Sequence, residues 1–495
     1  MTFTTGSMHK KVLGQGLIYG LTSFLQSAIG FAIIFMLTSF FTTKEFGIFS
    51  LLLVIGTCSS IIFYFGASSA LGRYYFEDVS LKYNKSIISS AFQITAFGAF
   101  VLIVLATIFS SHISIISFQT DAYKIDVQLM FYAFAFTLLI NLFNLILTYN
   151  NKSTIYLVIN IISLIINFCI TYVSIVYFDY KIRAPIIGLF ISNILCFLIL
   201  MFYFKSYLNF EYNNQNVTKL LHFGLPTVLT SLLYFILDFI DRFILKDLVS
   251  LSDLGIYSLA YRLAMVINII FIAPFGIIWA PLRMKNSNNV EETKVMMVKV
   301  TSYMVIAGFM AILVVILFGR SIMPVFFKKV EYHDALCIMP ILILGIFLKG
   351  LQNILDYGVN YYKKLHYYVI AAICSIFFNV VANYTFVPIF GYIAAAYITM
   401  FTNLLSTILI FRFSMMFFKV RLEFARIFLP LAVLVCFLYL FVSHPNYFDS
   451  VWIGVLIFLV TILFLFRYWL DLSEKLVIGK LLSQLYNYSK LFLKR

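Results

Sequence analysis

Apolar runs of membrane-spanning length follow one another along this chain, with short polar clusters between them. Residues 12–43, 46–72, 86–120, 127–151, 153–178, 184–204, 263–282, 300–319 and 427–448 contain no Asp, Glu, Lys or Arg. A helix of about 20 residues crosses the hydrocarbon core of a bilayer, so each run predicts one transmembrane helix. The run 365–411 is long enough for two, and VPIFG at 387–391 supplies the proline and glycine of a turn between them. Three further segments, near 219–246, 334–360 and 450–468, are interrupted by a few charges, and with them the pattern predicts fourteen helices. Solid apolar runs, in place of alternating ten-residue strands, argue against a closed barrel. The expected fold class is therefore an all-α polytopic membrane protein. The N-terminus has the basic flank of a signal sequence, but its apolar stretch is too long and lacks a small-residue cleavage pattern, so it reads as a retained first helix.

Charge changes the picture by giving it a direction. Only 11% of residues are charged, against about 25% in a soluble domain. The net charge of +15 invites a nucleic-acid reading, yet its distribution follows the positive-inside rule instead. With the N-terminus inside, 24 lysines and arginines fall on the inner side and 8 on the outer; Arg242, Arg262 and Lys349 fall within predicted spans. Both termini are thus expected in the cytoplasm, and no nucleic acid among the partners. The six cysteines lie in or at the edge of predicted helices without CxxC spacing and read as packing residues. The six histidines show no metal spacing, and P-loop, HExxH and GxSxG motifs are absent. No catalytic residue, cofactor or metal is implied. Trp452 and Trp469 bracket the last helix as expected interfacial anchors, and 471–495 reads as a basic amphipathic helix on the inner leaflet.

The second half echoes the first. EFGIFSL at 45–51 matches DLGIYSL at 253–259, an offset of 208. Asn141, Tyr149, Lys152, Tyr156, Asn167 and Tyr172 recur as Asn353, Tyr361, Lys364, Tyr368, Asn379 and Tyr384, an offset of 212. The expected organisation is a six-helix lobe over 1–212, a second over 213–420, two further helices over 421–470 and the tail at 471–495. Six is even, so both lobes insert with one orientation, related by an axis along the membrane normal; such parallel repeats are a transporter architecture.

Residues 223–285 resemble the seventh and eighth helices of bacterial Wzx-type polysaccharide flippases in the MOP superfamily. The parts that carry the resemblance are FGLP, the Asp241-Arg242 helix end, GIYS at 255–258 and WAP at 279–281. TTKEFGIFSLLLVI and GASSALGRYY resemble the family's first outer loop and the inner end of its second helix. The resemblance implies movement of an undecaprenyl-pyrophosphate-linked oligosaccharide from the inner to the outer leaflet of the bacterial cytoplasmic membrane, by alternating access coupled to an ion. It also implies a polysaccharide polymerase and a chain-length regulator as possible partners beside the bilayer. A MATE-like multidrug or organic-cation antiporter and a peptidoglycan-precursor flippase are the alternatives, and a membrane polysaccharide polymerase is a more remote one, since the outer loops are short.

Charges inside spans single out the site residues, because an ionisable group in hydrocarbon costs at least about 2.5–3.5 kcal/mol and persists when paired, wet or functional. Asp238, Asp241 and Arg242 crowd one sector of the seventh helix, as coupling or ion-pair residues. Arg262, on the next helix, is expected to meet Asp241, either as a structural pair or as the cation that binds pyrophosphate. Lys349 is the deepest cation and is expected to face a cavity. Arg73, at the inner end of the second helix, is an anchor or a substrate-entry residue. Asn141 and Asn353, with Asn167 and Asn379, are candidate ligands for sugar hydroxyls or interhelical hydrogen-bond donors. Pro226, Pro274 and Pro281 are expected kinks.

Overall fold

Two helix starts illustrate how local sequence sets this fold. Thr42 and Glu45 form a capping box: the Glu45 N–H donates to Thr42 Oγ1 at 3.3 Å and the Thr42 N–H donates to Glu45 Oε2 at 2.8 Å. At an offset of 208, the Asp253 N–H donates to Ser250 Oγ at 3.1 Å, and Ser250 Oγ donates to Asp253 Oδ2 at 2.7 Å. Each cap satisfies backbone donors that a helix leaves open at its first turn.

In the computed structural model, described over residues 5–78, 80–208, 213–276, 279, 290–443 and 450–469, these caps open two members of a helical succession. The helices are α1 (Thr5–Phe40), α2 (Thr43–Phe63), α3 (Ala67–Tyr74), α4 (Leu81–Phe118), α5 (Lys124–Tyr149), α6 (Ser153–Val176), α7 (Arg183–Phe204) and α8 (Asn214–Leu248). They continue as α9 (Leu251–Ala264), α10 (Val290–Phe326), α11 (Ala335–Leu355), α12 (Tyr357–Tyr361), α13 (His366–Phe417), α14 (Phe424–Ser443) and α15 (Val451–Phe464). Eleven helical spans are long and apolar enough to cross a membrane. Helix α13 is two arms joined at Gly391, whose φ of 63° and ψ of −154° are not helical, where the VPIFG sequence predicts a turn. Two shorter apolar helices follow, over Arg426–Phe441 and Val451–Phe464. This arrangement is consistent with fourteen spans. The tail at 471–495 and Pro281 lie outside the described residues.

The sequence echo has a geometric counterpart. The backbones of α2 and α9 meet at its glycines: a Cβ on Gly47 would sit 2.1 Å from the Leu251 carbonyl oxygen, and one on Gly255 would sit 1.9 Å from that of Thr43. Thr43 Oγ1 and Ser252 Oγ hydrogen-bond beside them. The later echo recurs as a turn. Asn151 and Lys363 both have φ of 54°, and the N–H groups of Lys152 and Lys364 donate to Leu147 and Val359 oxygens at 2.9 Å each. Every position in this second comparison is offset by 212.

The helices group into two compact units, one over Met1–Met284 with Phe327–Lys419, the other over Lys285–Phe326 with Val420–Arg495. By contact, α10 thus belongs with α14 and α15. Inside the first unit, lysines from the second half of the sequence dock on the first. Lys329 Nζ donates to the Phe40 and Phe41 carbonyl oxygens at 3.0 and 2.7 Å, and Tyr332 Oη donates to Phe41 O at 3.1 Å. Lys246 Nζ donates to Ile116 O at 2.9 Å. At the opposite end of α8, Lys219 pairs with Glu77 and lies 4.4 Å from the Tyr74 ring, and the Gly66 and Gly224 backbones touch.

Two expectations need correction here. Trp469 is 6% exposed and donates to the Arg426 carbonyl at 3.2 Å, whereas Trp452 is 83% exposed; Trp469 thus packs against α14 instead of facing outward. Of the six cysteines, Cys196 alone is buried, and Cys169, Cys337, Cys374 and Cys436 are exposed. They sit on outward faces of apolar helices and do not pack the interior.

Candidate functional site

A single charge pair marks a polar cavity in the bundle. Lys349 of α11 hydrogen-bonds Asp238 of α8 through its ammonium group, a juxtaposition of residues 111 apart. Both line a cavity of about 320 Å³ with Tyr234, Tyr261, Asn268, Gln352, Asn353, Asp356, Tyr368 and Asn403 among its walls. Its roof is made by a local departure from α-helix: after α9, residues Asn268–Ile272 form a π turn that aims Asn268 and Ile272 into the space. Gly350 permits the close approach of α11 there, since a Cβ would lie 2.6 Å from Ile272 Cδ1. Trp279 Nε1 donates to the Asn353 carbonyl at 3.1 Å, and Tyr368 Oη donates to Asp356 Oδ2 at 2.6 Å. Amide and phenol groups beside a neutralised charge pair suit hydroxyl-rich ligands, which need many directional partners.

A second centre lies one helical turn along α8. Asp241 is 1% exposed and is held by neutral groups. Tyr257 Oη donates to its Oδ2 at 2.8 Å, Thr399 Oγ1 donates to the same oxygen at 2.6 Å, and Asn383 Nδ2 donates to Oδ1 at 3.2 Å. Asn383 Oδ1 is buried without a hydrogen-bond partner, although the same amide also reaches Asn379 O and Oδ1 at 2.9 Å each. Among the described residues Asp241 makes no ion pair. A buried carboxylate surrounded by neutral oxygens, one of them unused, is suited chemically to hold a proton or a small monovalent cation.

The expected Asp241–Arg262 pair does not form. Tyr257 is the α9 residue that faces Asp241, and Arg262 stands five positions later, about 140° around the helix at 100° per residue. Its guanidinium instead lies 5.8 Å from the Phe46 and Phe49 rings of α2, with no ion pair among the described residues. Arg242 likewise pairs with neither carboxylate. It is 3% exposed, lies 4.4 and 4.9 Å from the Tyr261 and Phe239 rings, and donates to the Asp238 carbonyl at 3.3 Å. Asp238, Asp241 and Arg242 therefore do not form one cluster: each has its own environment.

Of the remaining residues, Lys349 and Asn353 come together in the cavity, whereas Arg73 and Asn141 are exposed and stand apart from it. Asn379 is fully buried and donates to Thr402 at 3.1 Å, the interhelical role. Sequence reasoning missed Tyr257, Asn383 and Thr399. The polar pair Asn379 and Asn383, four apart in an apolar run, was the available signal, because that spacing stacks both amides on one helix face.

Residues 12–287 match the family model described as polysaccharide biosynthesis protein, and residues 226–385 match the MatE family model. No curated protein shows a significant sequence match. Among solved structures, the lipid II flippase MurJ in an inward closed conformation is similar at a TM-score of 0.73 and 18% identity, over 92% of this chain and 99% of that one. An inward-facing multidrug resistance MATE family transporter of the MOP superfamily is similar at a TM-score of 0.62 and 13% identity, over 80% of this chain and 94% of that one. A mutant of the Vibrio cholerae MATE transporter VcmN follows at 0.54 and 12%, over 83% and 98%. At these identities the likeness is one of fold, an all-α helical bundle.

Proposed function

The chain belongs to the polysaccharide biosynthesis protein family, and from that premise we propose that it flips an undecaprenyl-pyrophosphate-linked oligosaccharide from the inner to the outer leaflet of the cytoplasmic membrane. The observation that carries the reading is Arg262. It is a guanidinium held against rings of α2, inside an apolar bundle and with no ion pair among the described residues. A fork of N–H donors kept free of carboxylates favours a diphosphate, which it binds bidentately. The cavity with Lys349 and Asn353 then takes sugar hydroxyls, and Asp241 carries the coupling proton or cation, exchanging it as the lobes over 1–212 and 213–420 alternate. Both termini lie in the cytoplasm, and the flipped unit passes to a polymerase outside.

The absence of an Asp241–Arg262 pair makes the test simple. Arg262→Gln strands no buried carboxylate, so the variant reaches the membrane in normal amount while lipid-linked oligosaccharide accumulates on the inner leaflet and surface glycan is lost. Arg262→Lys keeps part of the transport, since it retains charge without the fork. Full glycan display by a well-expressed Arg262→Gln protein overturns the assignment. Normal display in a deletion strain, with raised sensitivity to cationic dyes, would favour a drug antiporter; arrested cell-wall synthesis would favour a peptidoglycan precursor.

A further inference from the structure

We propose that the elbow between α12 and α13 binds the headgroup of an anionic phospholipid. The elbow turns tightly through Lys363, whose φ is 54°, and ring contacts fold it onto the far end of α13. Tyr362 lies 5.8 Å from Phe417, and Tyr367 lies 4.5 Å from Phe413 and 5.8 Å from Phe417. Tyr357 lies 4.7 Å from Phe418. This stack brings Lys363 and Lys364 to the same end of the bundle as Arg412 and Lys419, some fifty residues later in sequence, and all four cations are exposed. No Asp or Glu occurs between 357 and 419. The acid just before the elbow, Asp356, is turned inward and 6% exposed.

The first repeat argues that this is more than an orientation signal. Its matching turn has the same geometry at Asn151 and Lys152, and the positions that match Arg412 and Lys419 hold Leu200 and Tyr207. At those four positions the first repeat keeps one cation, Lys152, and Lys205 lies beside them, so the first turn gathers two cations against four. A bias that only fixes topology would be served equally by either turn. The neighbouring side chains select a lipid over a dissolved anion: Leu365 is 58% and Met416 63% exposed, beside aromatic rings that favour the headgroup level of a bilayer. Cations above an exposed apolar surface match a phosphate carried on acyl chains.

The test is native mass spectrometry of the full-length chain in detergent, with phosphatidylglycerol and phosphatidylcholine of identical acyl chains as probes. The expected result is preferential retention of phosphatidylglycerol, weakened about fivefold for each of Lys363→Gln, Lys364→Gln, Arg412→Gln and Lys419→Gln, the equivalent of about 1 kcal/mol per cation. Lys152→Gln leaves retention unchanged, and the Lys363→Arg, Lys364→Arg double variant preserves it, which separates lost charge from lost structure. Equal retention of both lipids, or an equal loss in Lys152→Gln, overturns the proposal. Displacement of phosphatidylglycerol by inorganic phosphate identifies a free-anion site and overturns it too. So does selective displacement by undecaprenyl pyrophosphate, which would make the elbow an entry point for cargo.

Discussion

Replacing Gly255 by alanine places a methyl group 1.9 Å from the Thr43 carbonyl oxygen and 3.1 Å from the Gly47 nitrogen. An ordinary carbon–oxygen contact is about 3.3 Å, so α2 and α9 must separate locally by roughly 1.4 Å. Both obstacles are backbone, which no rotamer change relieves. Overpacking of this kind typically costs about 1–3 kcal/mol, and Gly255→Ala belongs at the upper end, with Gly47→Ala close behind because its Cβ meets Leu251 O at 2.1 Å. Gly276→Ala is the control: among the described residues nothing lies within 4 Å of its Cβ, and alanine is the better helix former by about 1 kcal/mol. The assay is thermal unfolding of purified protein in detergent, followed by loss of the monodisperse peak. Gly276→Ala should match or exceed the parent, and Gly255→Ala should unfold well below it. Equal stability of the two variants would refute the close crossing of α2 and α9.

Asp241→Asn should leave the protein folded, since the remaining amide oxygen still accepts from Tyr257 and Thr399 and only the bond from Asn383 is lost, while abolishing any shift in unfolding temperature produced by sodium or potassium in the parent; persistence of that shift would remove Asp241 from coupling. Combined Lys246→Met and Lys329→Met substitutions should raise the maleimide labelling rate of a cysteine placed at Thr43, because hydrogen bonds from charged donors contribute about 1.5–3 kcal/mol each, and less where water reaches them; an unchanged rate would show that these lysines do not hold that end closed. The hydrogen bond from Lys219 holds the Glu77 carboxyl below the usual carboxylate range. A lowered folded value means that the bridge contributes fully above the ordinary carboxylate range and is lost only as pH falls beneath it. Glu77→Gln at neutral pH should therefore reproduce the acid state, as faster hydrogen exchange near Lys219, and a mutant with parental exchange at both pH values would contradict this.

Local signals carried much of the architecture. The caps at Thr42 and Ser250, the turn at Gly391 and the repeat at offsets 208 and 212 depend on neighbouring residues or on self-similarity, so each is readable in one dimension. Partner choice is not. Lys349 finds Asp238 across 111 positions, and nothing in either segment specifies the other. The Arg262 expectation failed for a rotational reason: depth along two antiparallel helices is predictable from residue counts, but the face that each helix presents is set by packing, here by the Gly47–Gly255 crossing that turns Arg262 toward Phe46 and Phe49. The environment of Asp241 draws on α8, α9 and both arms of α13, and only the Asn379–Asn383 spacing hinted at it.

Lys246 and Lys329 reach across the halves to main-chain oxygens, not to side chains. Any residue at positions 40, 41 or 116 offers the same carbonyl, so substitutions there impose no compensating change at the lysines. These contacts consequently leave no correlated pairs in a set of diverging relatives, and methods that infer proximity from co-variation are blind to them. The one-sidedness also frees the first half to drift: its helix ends are recognised by shape and dipole, and Lys246, Lys329 and Tyr332 carry the constraint.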